Sequence, residues 1–526
     1  MPKELASHTG TSLQNLGSFT LLLLLAVFAM LVQGYHPGLE DDAFYVAAIK
    51  QDLNPSLFPH DADFFRVQFQ ATVFDKLIAF SLRWTHVPLE WGILFWQWAV
   101  TVLILWGCWR ISRRCFAEAH AQWAAVTLVA VLLSLPVSGT GLSLTDQYLH
   151  PRALATALIL AAIVAVLVPK NDRRLLLAGA LLAAAFAVHA IMAAFGASFC
   201  LFLLWKPREQ TKTEQTKTGR TKPNIDQRRT AVGAALLWPL GWIFEPPSDA
   251  WRQAAATRSF YFVLRWHWYE WLGVVAPLLL LWWFRALAER RSQTVLAHVA
   301  ERLVYFGGFQ LAVALIILLP ARLERLRPLE PMRFLHLVYL LFVLLAGGLL
   351  GQYVLKKHAL RWLLLFVPLS AGMFYAQRQM YPATAHLELP GSLSRHEASR
   401  NSWVEAFRWI SQNTPSRNTP VDAQFALDPR YMELPGEDYH GFRALAERSV
   451  LADELKDAGM AARVPRLAPR WLREVEAQRG WRDFKRPDFL RLKAEFGVDW
   501  VVLQAPGVEG LPCPYRNSQV MVCRVE

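Results

Sequence analysis

Apolar runs of roughly 15–22 residues recur between about residue 17 and residue 376, whereas residues 378–526 contain none of comparable length. The first, 17–34, carries no charged residue over its length, which suits a hydrocarbon core about 30 Å thick. The stretch ahead of it is only weakly basic and no small-residue cleavage site follows, so it reads as a retained span and not as a signal peptide. Further spans are predicted at 89–109, 119–136, 153–169, a hairpin within 174–205, 230–244, 270–284, 303–320, 334–355 and 359–376, about eleven transmembrane helices in all. Beyond residue 377 the period changes. Val404, Phe407 and Ile410 recur at helical spacing in 401–411, Pro487 opens a helix at 488–496 that Gly497 stops, and 498–504 and 519–525 read as strands. The expected architecture is an α-helical polytopic membrane domain, 1–377, followed by a small α/β soluble domain, 378–526.

Composition agrees with that division. The chain is 54% hydrophobic and 18% charged, with mean hydropathy +0.22, against about 25% charged in an ordinary soluble globule. The net charge of +13 does not point to nucleic acid, because no basic stripe with interleaved aromatics lies on a soluble element. Its Lys and Arg gather instead in alternate loops: 110–114, 170–174, 206–229, 285–291 and 356–361. The positive-inside rule then puts the amino terminus in the cytoplasm, and both loop 35–88 and residues 378–526 facing the periplasm or the cell exterior. The Thr/Lys-rich stretch 206–229 reads as a disordered cytoplasmic linker without chemistry. Five cysteines exclude a disulfide-built scaffold. Cys513 and Cys523 are expected either to form a bridge or to be two buried thiols.

Candidate chemistry sits in the exported loops. Glu40, Asp41 and Asp42 follow the first span directly, and three adjacent carboxylates at a membrane surface call for a cation, a proton or a positive substrate group. They suit a general base or oxygen ligands to a divalent cation, Mg or Mn; an exposed acidic turn is the plain alternative. Asp146, His150 and Arg152 open the fourth span at the same expected face, and His189 lies near the turn of the 174–205 hairpin. Loop 321–333 keeps Arg322, Arg325, Arg327 and Arg333 against the positive-inside bias, which fits phosphate binding by guanidinium, or else pairing with Glu324 and Glu330. The aromatics Trp266, Trp268, Tyr269 and Trp271 fit an interfacial belt, with sugar stacking a lesser option.

With an acidic motif directly after the first span, a second acid in a later exported loop and a soluble tail, the chain resembles the GT-C superfamily of integral-membrane glycosyltransferases. Glu40-Asp41-Asp42 matches the first motif and Asp146 the second position. It is similar in particular to bacterial members whose tail begins with a tryptophan-containing helix and an Asn-Thr-Pro turn, as Trp409 to Pro415 does. The resemblance implies transfer of a sugar from a polyprenyl-phosphate donor, at the outer face, to a lipid, glycan or protein acceptor. It casts Asp41 or Asp42 as the group that deprotonates the acceptor or orients it with a bound cation, with Asp146 as a second acid. Glu40, His150, Arg152, His189 and the four arginines of 321–333 would bind substrate and neutralise the departing phosphate, and direct displacement would invert the anomeric carbon. The acidic motif lacks a metal-binding partner of known spacing.

Two other classes compete. A transporter of small solutes or lipids would place its ionisable groups in a cavity at the bilayer midplane. A non-catalytic assembly protein would need no convergent site.

Overall fold

The computed structural model describes residues 2–168, 172–205, 246–391, 401–413 and 422–526. The expected span 230–244 and the linker 206–229 lie outside them. Helix α1 (Pro2–Gln33) leads into three short helices, α2 (Asp42–Leu53), α3 (Asp63–Gln70) and α4 (Phe74–Thr85), which fill the first long loop. The bundle continues through α5 (Leu89–Cys115), α6 (Ala119–Val131), α7 (Pro151–Val166) and the hairpin α8 (Asp172–Val188) and α9 (Ala190–Leu204). After the short α10 (Asp249–Ala256) come α11 (Trp268–Arg290), α12 (Thr294–Leu318), α13 (Leu335–Leu350) and α14 (Ala359–Met380). Among the described residues five helices are long and apolar enough to cross a membrane, and four apolar helices are shorter, including α6, α7 and α9. The helix expected at 119–136 stops at Val131, because the chain turns there into a two-stranded hairpin, β1 (Pro136–Val137) and β2 (Leu142–Ser143). Loop 321–333 is folded as two 3₁₀ stretches, Ala321–Leu329 and Pro331–Phe334.

Small residues allow a close contact between α13 and α6. A Cβ on Gly348 of α13 would fall 2.0 Å from the Phe116 ring, and one on Gly347 would fall 2.9 Å from the Ala124 carbonyl oxygen of α6. Glycine lets two backbones approach where apolar burial against lipid gives no drive to associate.

The carboxy-terminal part is a five-stranded mixed sheet in the order β4-β3-β5-β7-β6, built from β3 (Gln424–Ala426), β4 (Ser449–Val450), β5 (Val498–Gln504), β6 (Tyr515–Arg516) and β7 (Val520–Arg524). Side chains alternate faces along β5 and β7. Trp500, Val502, Val520 and Val522 pack with Trp403, Phe407 and Ile410 of α15 (Ser402–Gln412). Val501, Leu503, Met521 and Cys523 instead meet a cluster with Phe489 and Leu492 of the helix Arg486–Phe496. Both faces are covered, so the strands read as nearly continuous apolar runs. Of the two states open to Cys513 and Cys523, the bridge is the one formed.

This part is stitched to the first loop. Glu40 N–H donates to the Tyr439 carbonyl and Gly441 N–H to that of Gly38, both at 2.9 Å. Ala43 of α2 belongs to the same apolar cluster as Trp403 and Phe425. Arg443, on α16 (Phe442–Ala446), pairs with Asp61 of the first loop and with Asp457, at 2.9 Å to the latter, at the start of α17 (Lys456–Arg463). The loop and the tail therefore share one interior.

Gly348→Val should destabilise the full chain by about 1–3 kcal/mol through overpacking against Phe116. Gly372→Ala, on α14 where an added methyl meets nothing within 4 Å, should be neutral or slightly stabilising; thermal unfolding in detergent separates the two.

Candidate functional site

The chain leaves α1 through a run of backbone turns. Gly34 and Gly38 have φ of +88° and +85°, and at Gly34 a Cβ would lie 2.8 Å from the His386 carbonyl oxygen. Asp41 and Asp42 follow, at the amino end of α2, and their side chains go different ways. The Asp42 carboxylate turns back to accept the Gly38 N–H at 2.7 Å and is buried. The Asp41 side chain keeps 38% of its exposure, within a cavity. One of its oxygens accepts from the Lys456 ammonium at 3.0 Å, and Lys456 also pairs with Glu40. The other lies 3.9 Å from His150 Nε2. His150 Nδ1 accepts the Arg152 backbone N–H at 2.9 Å, which caps α7 and leaves Nε2 as the nitrogen facing Asp41.

Two cavities meet at Asp41. The first, about 230 Å³, is polar and contains Glu40, Asp146, Tyr148, Arg152, Arg258 and Lys456. The second, about 360 Å³, has a more apolar wall that includes Val188, Ile191, Trp251, Leu326 and Leu329, with His150 and His189. Asp41, Tyr45, Arg333 and Arg463 line both. Most of these groups sit at element ends: Arg152 begins α7, His189 caps α9 and Arg463 ends α17. The cavities thus lie where the bundle meets the carboxy-terminal part, and not halfway along the helices.

The two neighbouring aspartates are electrostatically opposite. Burial would raise Asp41, but Lys456 and His150 outweigh it and hold the carboxyl well below its usual range. For Asp42, burial dominates over the Gly38 hydrogen bond and, with the charges of Asp146 and Asp41, lifts the carboxyl to about 8. Burial would lower Lys456, yet Asp41 and Glu40 raise it. Adjacent carboxyls with environments pushed apart are a pattern of acid–base sites.

The structure brings Glu40, Asp41, Asp146, Arg152 and Arg333 to the polar cavity, and His150, His189 and Arg325 to the apolar one. It corrects other expectations. Asp42 does not line either cavity, because its carboxylate ties off the Gly38 turn. Of the Arg152 guanidinium, expected to support phosphate binding, one nitrogen is held by both oxygens of Asp146 at 2.6 Å. Arg322 is exposed, and Arg327 lies over the Phe262 ring at 4.9 Å beside Glu324, so neither reaches a cavity. Asp41 and Asp42 do not form a chelate, since one faces Lys456 and the other Gly38, and among the described residues no cluster of three or more His, Cys, Asp or Glu is placed to hold a metal. A divalent cation on that pair does not fit.

Lys456 and Arg463 were not anticipated as site residues. They stand seven positions apart, hence on one face of α17. That spacing of cations is the one local signal in the sequence. Glu330 was anticipated only as a partner for the loop arginines. Its carboxylate lies between Arg333 and Arg463, 2.9 Å from the latter, and its backbone is left-handed at φ +50° and ψ +55°. A non-glycine residue there costs roughly 1–2 kcal/mol.

Residues 70–219 match the sequence profile of the family described as "Dolichyl-phosphate-mannose-protein mannosyltransferase". The matched stretch contains Asp146, His150, Arg152 and His189 but not the acidic turn at 40–42. No curated protein matches the chain significantly in sequence. A crystallised oligosaccharyltransferase from Archaeoglobus fulgidus, in complex with Zn and sulfate, aligns over 92% of this chain and 67% of its own at 12% identity, with a TM-score of 0.39. A likeness that distant carries no argument about this chain. Over residues 70–219, less than a third of its length, the chain is therefore similar to the dolichyl-phosphate-mannose-protein mannosyltransferases, and its described residues include helices long and apolar enough to cross a membrane.

Proposed function

We propose that the protein transfers a sugar from a polyprenyl-phosphate donor to a lipid, glycan or protein acceptor, at the periplasmic face of a bacterial inner membrane, with inversion. The observation that carries this reading is the position of Asp41: among the described residues it is the one carboxylate that lines both the polar and the apolar cavity. The apolar cavity suits the isoprenoid end of the donor, and Arg333 with Arg463 at its inner wall suits the phosphate. The polar cavity suits the acceptor. With acceptor and donor on opposite sides of Asp41, the acceptor oxygen attacks the anomeric carbon opposite the phosphate. The carbon–oxygen bond to phosphate breaks, and the phosphate takes the electron pair. Asp41 takes the acceptor's proton. The arginines meet the charge that develops on the leaving phosphate.

Lys456 keeps Asp41 ionised, and His150 aims it. Asp146 is no second acid in this scheme; it orients Arg152 at the floor of the acceptor cavity. No step is routed through a metal, because an ammonium already stands between Glu40 and Asp41. A transporter is not favoured, since the shared cavity wall lies at helix ends.

Asp41→Asn should lower transfer from a radiolabelled polyprenyl-phosphate-sugar pool by about 10²–10⁴-fold in membranes with matched protein levels; unchanged transfer would refute Asp41 as the base. Asp42→Asn should retain activity within about tenfold, as its role is to fasten the Gly38 turn. Its signature is in stability. Because the Asp42 carboxyl is raised in the folded state, its contribution is full below the ordinary value near 4 and is lost as the pH rises through about 8. The unfolding temperature of Asp42→Asn should therefore fall less steeply than that of the wild type between pH 5 and pH 9.

A further inference from the structure

Glu330 is a buried carboxylate placed where the proposed donor would put its phosphate. One oxygen is 2.9 Å from Arg463 and the other contacts Arg333, so the two guanidiniums that line both cavities already share an anion. The Tyr261 hydroxyl lies 3.5 Å from the same carboxylate. The residue reaches this place through a left-handed backbone, between Pro328 and Pro331, without being glycine. Strain of that kind persists where surrounding structure or function requires it. A carboxylate and a phosphate can each accept paired N–H hydrogen bonds from a guanidinium, and a phosphate has more oxygens to offer.

We propose that Glu330 is a built-in stand-in for the donor's phosphate, holding Arg333 and Arg463 together in the empty protein and giving way when a polyprenyl phosphate binds. This rests on the donor reading above. A donor phosphodiester carries a single negative charge, so the exchange swaps one anion for another at the two arginines. The cleaved phosphate gains a further charge and stays paired with them until Glu330 returns. Glu330 thus competes with ligand, which sets it apart from a residue that merely braces the site.

The test is calorimetric titration of the full chain in detergent with farnesyl phosphate, with inorganic phosphate as a separate arm and thermal unfolding as the check on folding. Glu330→Gln, which keeps the shape and removes the charge, should bind farnesyl phosphate at least fivefold more tightly than the wild type. Glu330→Asp should remain within about twofold of the wild type, and Arg463→Gln should bind at least tenfold more weakly. A folded Glu330→Gln protein that binds with unchanged or weaker affinity would overturn the stand-in role while leaving the donor site in place. If no folded form binds farnesyl phosphate, the donor reading itself falls and takes this inference with it. Equal tightening towards inorganic phosphate would assign the pair to free phosphate and overturn the lipid-linked form of the proposal.

Discussion

The ion pairs that Lys456 makes with Glu40 and Asp41 are the contact on which the rest of this site depends. Acidic groups drawn out of water need a partner, and one left alone would take up a proton and lose its use as a base. The partner comes from the far end of the chain, more than four hundred residues away in sequence. An ammonium in that position settles two carboxylates at once and keeps Asp41 charged. Breaking a buried pair by removing one member is far more damaging than exchanging both, so loop 35–42 and α17 are bound to each other's chemistry.

That dependence explains why the carboxy-terminal part is not an appendage. Its backbone continues the first loop through the Glu40–Tyr439 and Gly441–Gly38 hydrogen bonds. Arg443 then fixes α17 by joining Asp61 to Asp457, next to Lys456. At the other end of α17, Arg463 meets Glu330 of the membrane domain. One short helix therefore delivers both cations, and each lands on an acid from a different part of the bundle. The polar and apolar cavities share a wall because these elements converge on it.

The helix ends supply the remaining geometry. His150 caps α7 and His189 caps α9, so both imidazoles are held by backbone hydrogen bonds at the rim of the bundle. Arg152 is engaged by Asp146. The arginines that line both cavities are Arg333 and Arg463, with Glu330 between them. A site arranged in this way suits a reactant that enters with an apolar tail and a charged head.

The sequence by itself determined the elements and one of the site's poles. Long apolar runs have to meet lipid, which is why the spans at 89–109, 270–284 and 359–376 fall within long helices and those at 303–320 and 334–355 largely overlap α12 and α13. Short apolar runs that can be buried on both faces read as strands, which is why 498–504 and 519–525 contain them. Three adjacent carboxylates after the first span marked the place where Asp41 opens into both cavities. Only the tertiary structure decided which aspartate faces them, because Asp41 and Asp42 differ in direction and not in type: a hydrogen bond from Gly38 turns one away and Lys456 holds the other. Likewise, the arginines of 321–333 were alike in sequence, yet Arg322 is exposed, Arg327 stacks on Phe262 and Arg333 lines both cavities. Periodicity is local, whereas the balance of buried charge is struck between residues that meet only when the chain has folded.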